Sequence, residues 1–160
     1  MVTTPNIQTK EIWKILEQVT DPEVPVLTIT DLGIVRDVKL NGDEVEVVIT
    51  PTYTGCPAMD MIAMNIKLAL IENGYQKIKI TSVLAPAWTT DWMSEAGKRK
   101  LKEYGIAAPD KRFTIPVDGV ECPLCNSTNT RLISEFGSTA CKALYQCNDC
   151  KEPFDFFKCH

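Results

Sequence analysis

Two short segments, ECPLC and CNDC, each place two cysteines three positions apart: Cys122 with Cys125, and Cys147 with Cys150. A Cys-x-x-Cys turn aims two thiolates at one point, and two such turns complete a tetrahedron. The twenty-one residues between the pairs slightly exceed the usual spacing, which a ribbon loop absorbs. Zinc is the expected ion, because four thiolates close its coordination shell and leave no position for a substrate. Iron in the same ligand set is the alternative. The metal's expected role is folding, since about forty residues build too small a core to stand alone.

Cys56 stands apart from these, in PTYTGCPAMD, between Gly55 and Pro57. It falls where a strand gives way to a helix. Free backbone donors and the helix dipole at such a point favour a thiolate and predict a lowered pKa. The alternative is a half-buried cap without chemistry. A nucleophilic enzyme would need a base, and the one imidazole, His160, lies in the other module. A thiolate that holds iron transiently needs none. Cys141, Cys159 and His160 also have two readings: a small core residue plus a frayed end, or a second soft-metal site.

The elements that must position these groups follow from periodicity. TKEIWKILEQV repeats apolar residues at helical spacing and must stop near Thr20, because DPEVP follows. IVRDVKL and EVEVVIT read as strands joined at Asn41-Gly42-Asp43, a hairpin signal. A helix runs from Pro57 to Gly74, QKIKITSVL is a third strand, and TTDWMSEAGKRKLKEYG is a helix ending at Gly105. The fold class is therefore α+β: a small two-layer domain whose sheet of three or more strands is antiparallel or mixed, with helices on one face. A C-terminal zinc ribbon follows. The expected domains are residues 1–112 and 113–160, with AAPDKR as linker.

With 44% hydrophobic residues among 160, a packed core is expected. The formal net charge is -4, and residues 121–160 carry 4 basic against 5 acidic groups. Neither module has the positive field that binds phosphate backbones, so no nucleic-acid partner is expected, and KRKLK reads as a solvated helix face. MVTTPNIQTK lacks the pattern of a signal peptide, and MDMIAMNIKLALI is too polar and short to span a bilayer. A cytoplasmic protein without a membrane partner is expected, its cysteines serving metal or redox chemistry.

The segments DPEVPVLTITDLGIV and PTYTGCPAMD resemble the small domain shared by SufT-like and cytosolic iron–sulfur targeting proteins. The matching positions are Asp21, Pro22, Glu23, Asp31, Leu32, Gly33, Thr50, Thr52, Thr54, Cys56 and Pro57. With the tail EFGSTACKALYQCNDCKEPFDFFKCH, nearly the whole chain resembles the PaaD (or PaaJ) family of phenylacetyl-CoA epoxidase systems. The resemblance implies help in assembling a metallocentre, iron–sulfur or diiron, during aerobic phenylacetate breakdown, and no catalytic turnover. It implies partners among the oxygenase and reductase components, with general iron–sulfur assembly machinery possible. It shifts Cys56, with Asp60 one turn on, towards a transient iron or cluster site, and strengthens the case for a second site at Cys141, Cys159 and His160. The alternatives are a structural subunit of the oxygenase complex and a nucleic-acid-binding zinc ribbon. A homodimer is compatible with the sequence.

Overall fold

The computed structural model describes residues 7–53, 55–108 and 119–157. The chain divides into two compact units, Met1–Trp88 and Thr89–His160, ahead of the boundary expected at 112/113.

In the first unit, helix α1 (Ile7–Leu16) buries Ile12, Ile15 and Leu16. Strands β1 (Val35–Asn41) and β2 (Glu44–Ile49) form an antiparallel hairpin with Asn41 opposite Glu44. Gly42, at φ 68°, is the first of the two loop residues, a position where a side chain would be strained. Helix α2 (Ala58–Glu72) ends at Asn73, with Gly74 beyond it at positive φ. Strand β3 (Lys77–Ser82) then pairs with β2 in parallel, so the sheet, in order β1-β2-β3, is mixed rather than purely antiparallel. The helical crossover accounts for this, because a tight hairpin returns a chain antiparallel whereas parallel neighbours need a long connection.

Burial alternates over the first part of β2, from Glu44 to Val47, and gives way to a fully buried end at Val48 and Ile49. Val45, Val47 and Ile49 are buried, while Glu46 accepts from the Thr81 hydroxyl at 2.7 Å and lies 3.9 Å from Lys79. The core is closed by Ile62, Ile66 and Leu70 on one face of α2.

In the second unit, a 3₁₀ turn (Thr90–Trp92) precedes α3 (Glu95–Glu103). The helix starts later than the periodicity suggests because Ser94 caps it, accepting from the Gly97 amide at 2.9 Å. Strand β4 (Ile106–Ala107) follows, then β5 (Thr130–Ser134), β6 (Lys142–Cys147) and β7 (Pro153–Phe157). The sheet order is β4-β7-β6-β5, with β4 parallel to β7 and the other pairs antiparallel. Tyr145 is fully buried, stacked on Phe154 at 5.8 Å and edge-on to Phe156 at 5.5 Å. Aromatic area supplies much of this small core. No helix among the described residues is long and apolar enough to cross a membrane.

Candidate metal centre and the Cys56 site

The two Cys-x-x-Cys turns are built alike. The Cys122 amide donates to the Ser127 carbonyl at 2.8 Å, and the Cys147 amide donates to the Glu152 carbonyl at 3.0 Å. The residue after each second cysteine, Asn126 at φ 64° and Lys151 at φ 69°, is left-handed. That conformation turns the chain back so that both thiols of a pair face one point. All four Sγ atoms lie within 4.8 Å of one another, the pairs Cys122–Cys150 and Cys125–Cys147 at 3.8 and 3.5 Å. Four sulfurs at about 2.3 Å from one ion would be spaced about 3.8 Å apart, so the set fits a tetrahedral metal.

Electrostatics say the same. The amides of Cys150 and Asp149 hydrogen-bond to Cys147 and outweigh burial, lowering it to about 7. The Glu152 amide favours the Cys150 thiolate, but desolvation and the thiols of Cys147, Cys125 and Cys122 push it up to about 12. Cys125 is raised as well, although the Ser127 amide favours its thiolate. Four thiols this close cannot all ionise without a cation among them.

A polar tie joins the two turns, and sequence reasoning missed it. Asp149 accepts from the Ser127 hydroxyl and, at 3.0 Å, from Asn129 Nδ2; Asn148 Nδ2 donates to Asn129 Oδ1 at 3.0 Å. The available signal was composition: small polar residues fill both turns, CNSTN and CNDC.

Cys141 is buried, its thiol 2.9 Å from the Thr139 hydroxyl. Cys159 and His160, its expected co-ligands, lie outside the described residues, as does Thr54.

Cys56 sits two residues before α2, with Pro57 at the N-cap position already helical at φ -68° and ψ -20°. Gly55, at φ 79°, makes the turn. The Cys56 amide donates to the Tyr53 carbonyl at 3.3 Å, and the Cys56 carbonyl accepts from the Met59 amide at 3.3 Å. The expected activation is corrected here: burial pushes the half-buried thiol above its ordinary pKa. Hydrogen bonds from the Ala58 amide and with the Tyr53 side chain pull the other way and lose, and the carboxylates of Glu23 and Asp21 add to the rise. The helix start is real; burial, with a smaller contribution from the local negative charge, outweighs it. Tyr53 was not singled out by sequence, although it lies three residues before the thiol.

The structure thereby brings the DPE segment to the thiol. Asp21 is buried and accepts from the amides of Glu23 at 2.7 Å and Val24 at 3.2 Å, which fixes the turn at Pro22. Asp31 forms a second turn, accepting from the Thr28 amide at 3.2 Å while its own amide donates to Thr28 Oγ1 at 3.0 Å. Gly33, at φ 73°, follows Leu32, whose carbonyl accepts from Trp88 Nε1 at 2.7 Å. These residues hold the loop. Thr52 is partly buried near the strand end, and Thr50 is buried with no partner for its hydroxyl among the described residues. Asp60 is exposed in the first turn of α2.

Residues 9–80 match the family described as "Iron-sulfur cluster assembly protein", and residues 108–158 match the "PaaD zinc beta ribbon domain". A protein of Escherichia coli K12 named for a component of 1,2-phenylacetyl-CoA epoxidase is 51% identical over 155 residues, 95% of this chain and 93% of that one. The chain belongs to the PaaD family. The sequence is also similar to a protein of Porphyromonas gingivalis W83 named Fe-S protein maturation auxiliary factor, 36% identical over 59% of this chain and 92% of that one. A crystal structure from Bacillus anthracis, titled as a domain of unknown function DUF59, matches 57% of this chain and 89% of its own at 30% identity and TM-score 0.54. The chain therefore joins an iron–sulfur-assembly-type domain, bearing Cys56, to a ribbon bearing the four-cysteine cluster.

Proposed function

We propose that this chain is an accessory maturation factor, not a catalyst, that helps place iron in a metallocentre of the phenylacetyl-CoA epoxidase system. Its clients are the oxygenase or reductase components, and the cargo is an iron–sulfur or diiron centre. The domain match and the names of the maturation-factor relatives support the class of activity. The name of the Escherichia coli relative supports the pathway. What carries the reading is one observation: Cys56 is a half-buried thiol at a helix start that joins no metal-ligating cluster among the described residues, while the four thiols of the ribbon converge on one another.

The two sites then divide the work. Cys122, Cys125, Cys147 and Cys150 hold zinc, which closes its shell and fixes the ribbon. Cys56 takes cargo iron as an incomplete ligand. Its raised pKa leaves it protonated near neutral pH, so iron must displace the proton, and release returns it. That makes holding weak, as transfer requires.

The test is the iron and acid-labile sulfide content of epoxidase components produced beside wild-type or Cys56→Ser protein. Clients depleted of iron with the variant, whose own zinc content is unchanged, support the proposal. Full loading overturns it, and leaves the chain a structural subunit if it copurifies at fixed stoichiometry.

A further inference from the structure

The outward face of α2 carries a row that the metal chemistry does not use. Met61, Met64, Leu68 and Ile71 are 52%, 59%, 52% and 54% exposed, whereas Ala58, Ile62, Ile66 and Leu70 on the same helix are buried. Four large apolar side chains standing together in water mark a surface meant to be covered. Their spacing is three, four and three residues, which is the a/d repeat of a two-stranded helical seam. Met61 and Leu68 take the a positions; Met64 and Ile71 take d.

The residues beside the row decide what covers it. Asp60 and Lys67 fall at g, Asn65 and Glu72 at e. Asp60, Lys67 and Glu72 are exposed, and no ion pair among the described residues engages them. If two copies of α2 lie parallel, each g residue meets the e residue five positions on in the second copy. Each Lys67 then faces Glu72, and each Asp60 faces the uncharged Asn65. In an antiparallel pair with Leu68 layered on Met64, the two Lys67 side chains approach one another instead. The charges therefore match the face to itself in the parallel arrangement, about a two-fold axis, which is the signature of an isologous contact.

We propose that the occupant is a second copy of this chain, giving a dimer through parallel α2 helices. The seam is short, since fifteen residues span about 22 Å. The resulting interface falls at the small end for protein pairs, so association is weak, on the order of micromolar.

Sedimentation velocity of the full, metal-loaded chain over a wide concentration series tests this. The wild type should pass from monomer to dimer. Leu68→Glu should be monomeric throughout with unchanged circular dichroism and metal content, because the side chain replaced is exposed. Lys67→Glu should raise the dissociation midpoint roughly tenfold or more by placing like charges across the seam. Mixing Lys67→Glu with Glu72→Lys should restore association, since both cross-seam pairs are then opposite in charge. A wild type that stays monomeric, a dimer indifferent to both Leu68→Glu and Lys67→Glu, or a mixture without rescue overturns the proposal. The first of those outcomes would assign the face to a different protein.

Discussion

Cys56 shows how far a position in sequence determines chemistry. The strand-to-helix location was readable from Gly55, Pro57 and the apolar run after them. The direction of its pKa was not, because that depends on burial and on Asp21 and Glu23, which are distant in sequence and brought near by the fold. Thiol alkylation across a pH series should therefore show a midpoint above the free-cysteine value of about 8.5. Glu23→Gln should lower that midpoint by removing a like charge; an unchanged midpoint would mean the carboxylate is not felt. The same shift fixes the pH dependence of metal uptake. Affinity at Cys56 should rise with pH until the thiol is fully ionised, since each metal bound as thiolate releases one proton. A ferrous titration followed by the thiolate-to-metal absorption band would show affinity independent of pH if this is wrong.

At the scale of elements, the two cysteine turns hold each other as well as their thiols. Asp149 links them through Ser127 and Asn129, and those bonds hold its carboxyl below the usual range. Asp149→Ala should speed metal loss to a competing chelator by about 10-fold or more, with the four thiols intact. An unchanged rate would make the tie incidental. In α2, Ile66 is fully buried, and Ile66→Ala should cost about 2–5 kcal/mol, read from denaturant midpoints. The outward Met64→Ala should leave the monomer within about 0.5 kcal/mol of wild type. The hairpin, both helices of the first unit and the clustering of the ribbon cysteines were legible because each has a local signal: Gly42, Pro22 and Pro25 after α1, Gly74 after α2, and the paired cysteines. The late start of α3 was less so, since Thr90 and Trp92 fit the helical pattern and only the Ser94 cap excludes them. The parallel pairing of β3 was not, because no residue in QKIKITSVL encodes its neighbour.

For the molecule as a whole, the two units should respond separately to loss of metal. Binding energy in a small metal module is folding energy, about 10 kcal/mol or more in zinc-finger peptides. Cys147→Ser should abolish metal binding and the cooperative melting of the second unit. Amide hydrogen exchange should show α2 and β2 still protected. Protection lost equally in both units would refute their independence. The sheet of the second unit also dictates the order of its assembly. Strand β7 is the last strand among the described residues, yet it lies between β4 and β6. The β5–β6 pair can form once Cys147 has been synthesised; β4 cannot join until β7 exists to receive it. While the polypeptide is still emerging from the ribosome, Ile106 and Ala107 therefore wait with an unpaired edge, and α3 ahead of them has no sheet to dock against. Folding of this unit should finish as a single late step. In a stalled-nascent-chain series, protease resistance around α3 should appear only after Phe157 has cleared the exit tunnel.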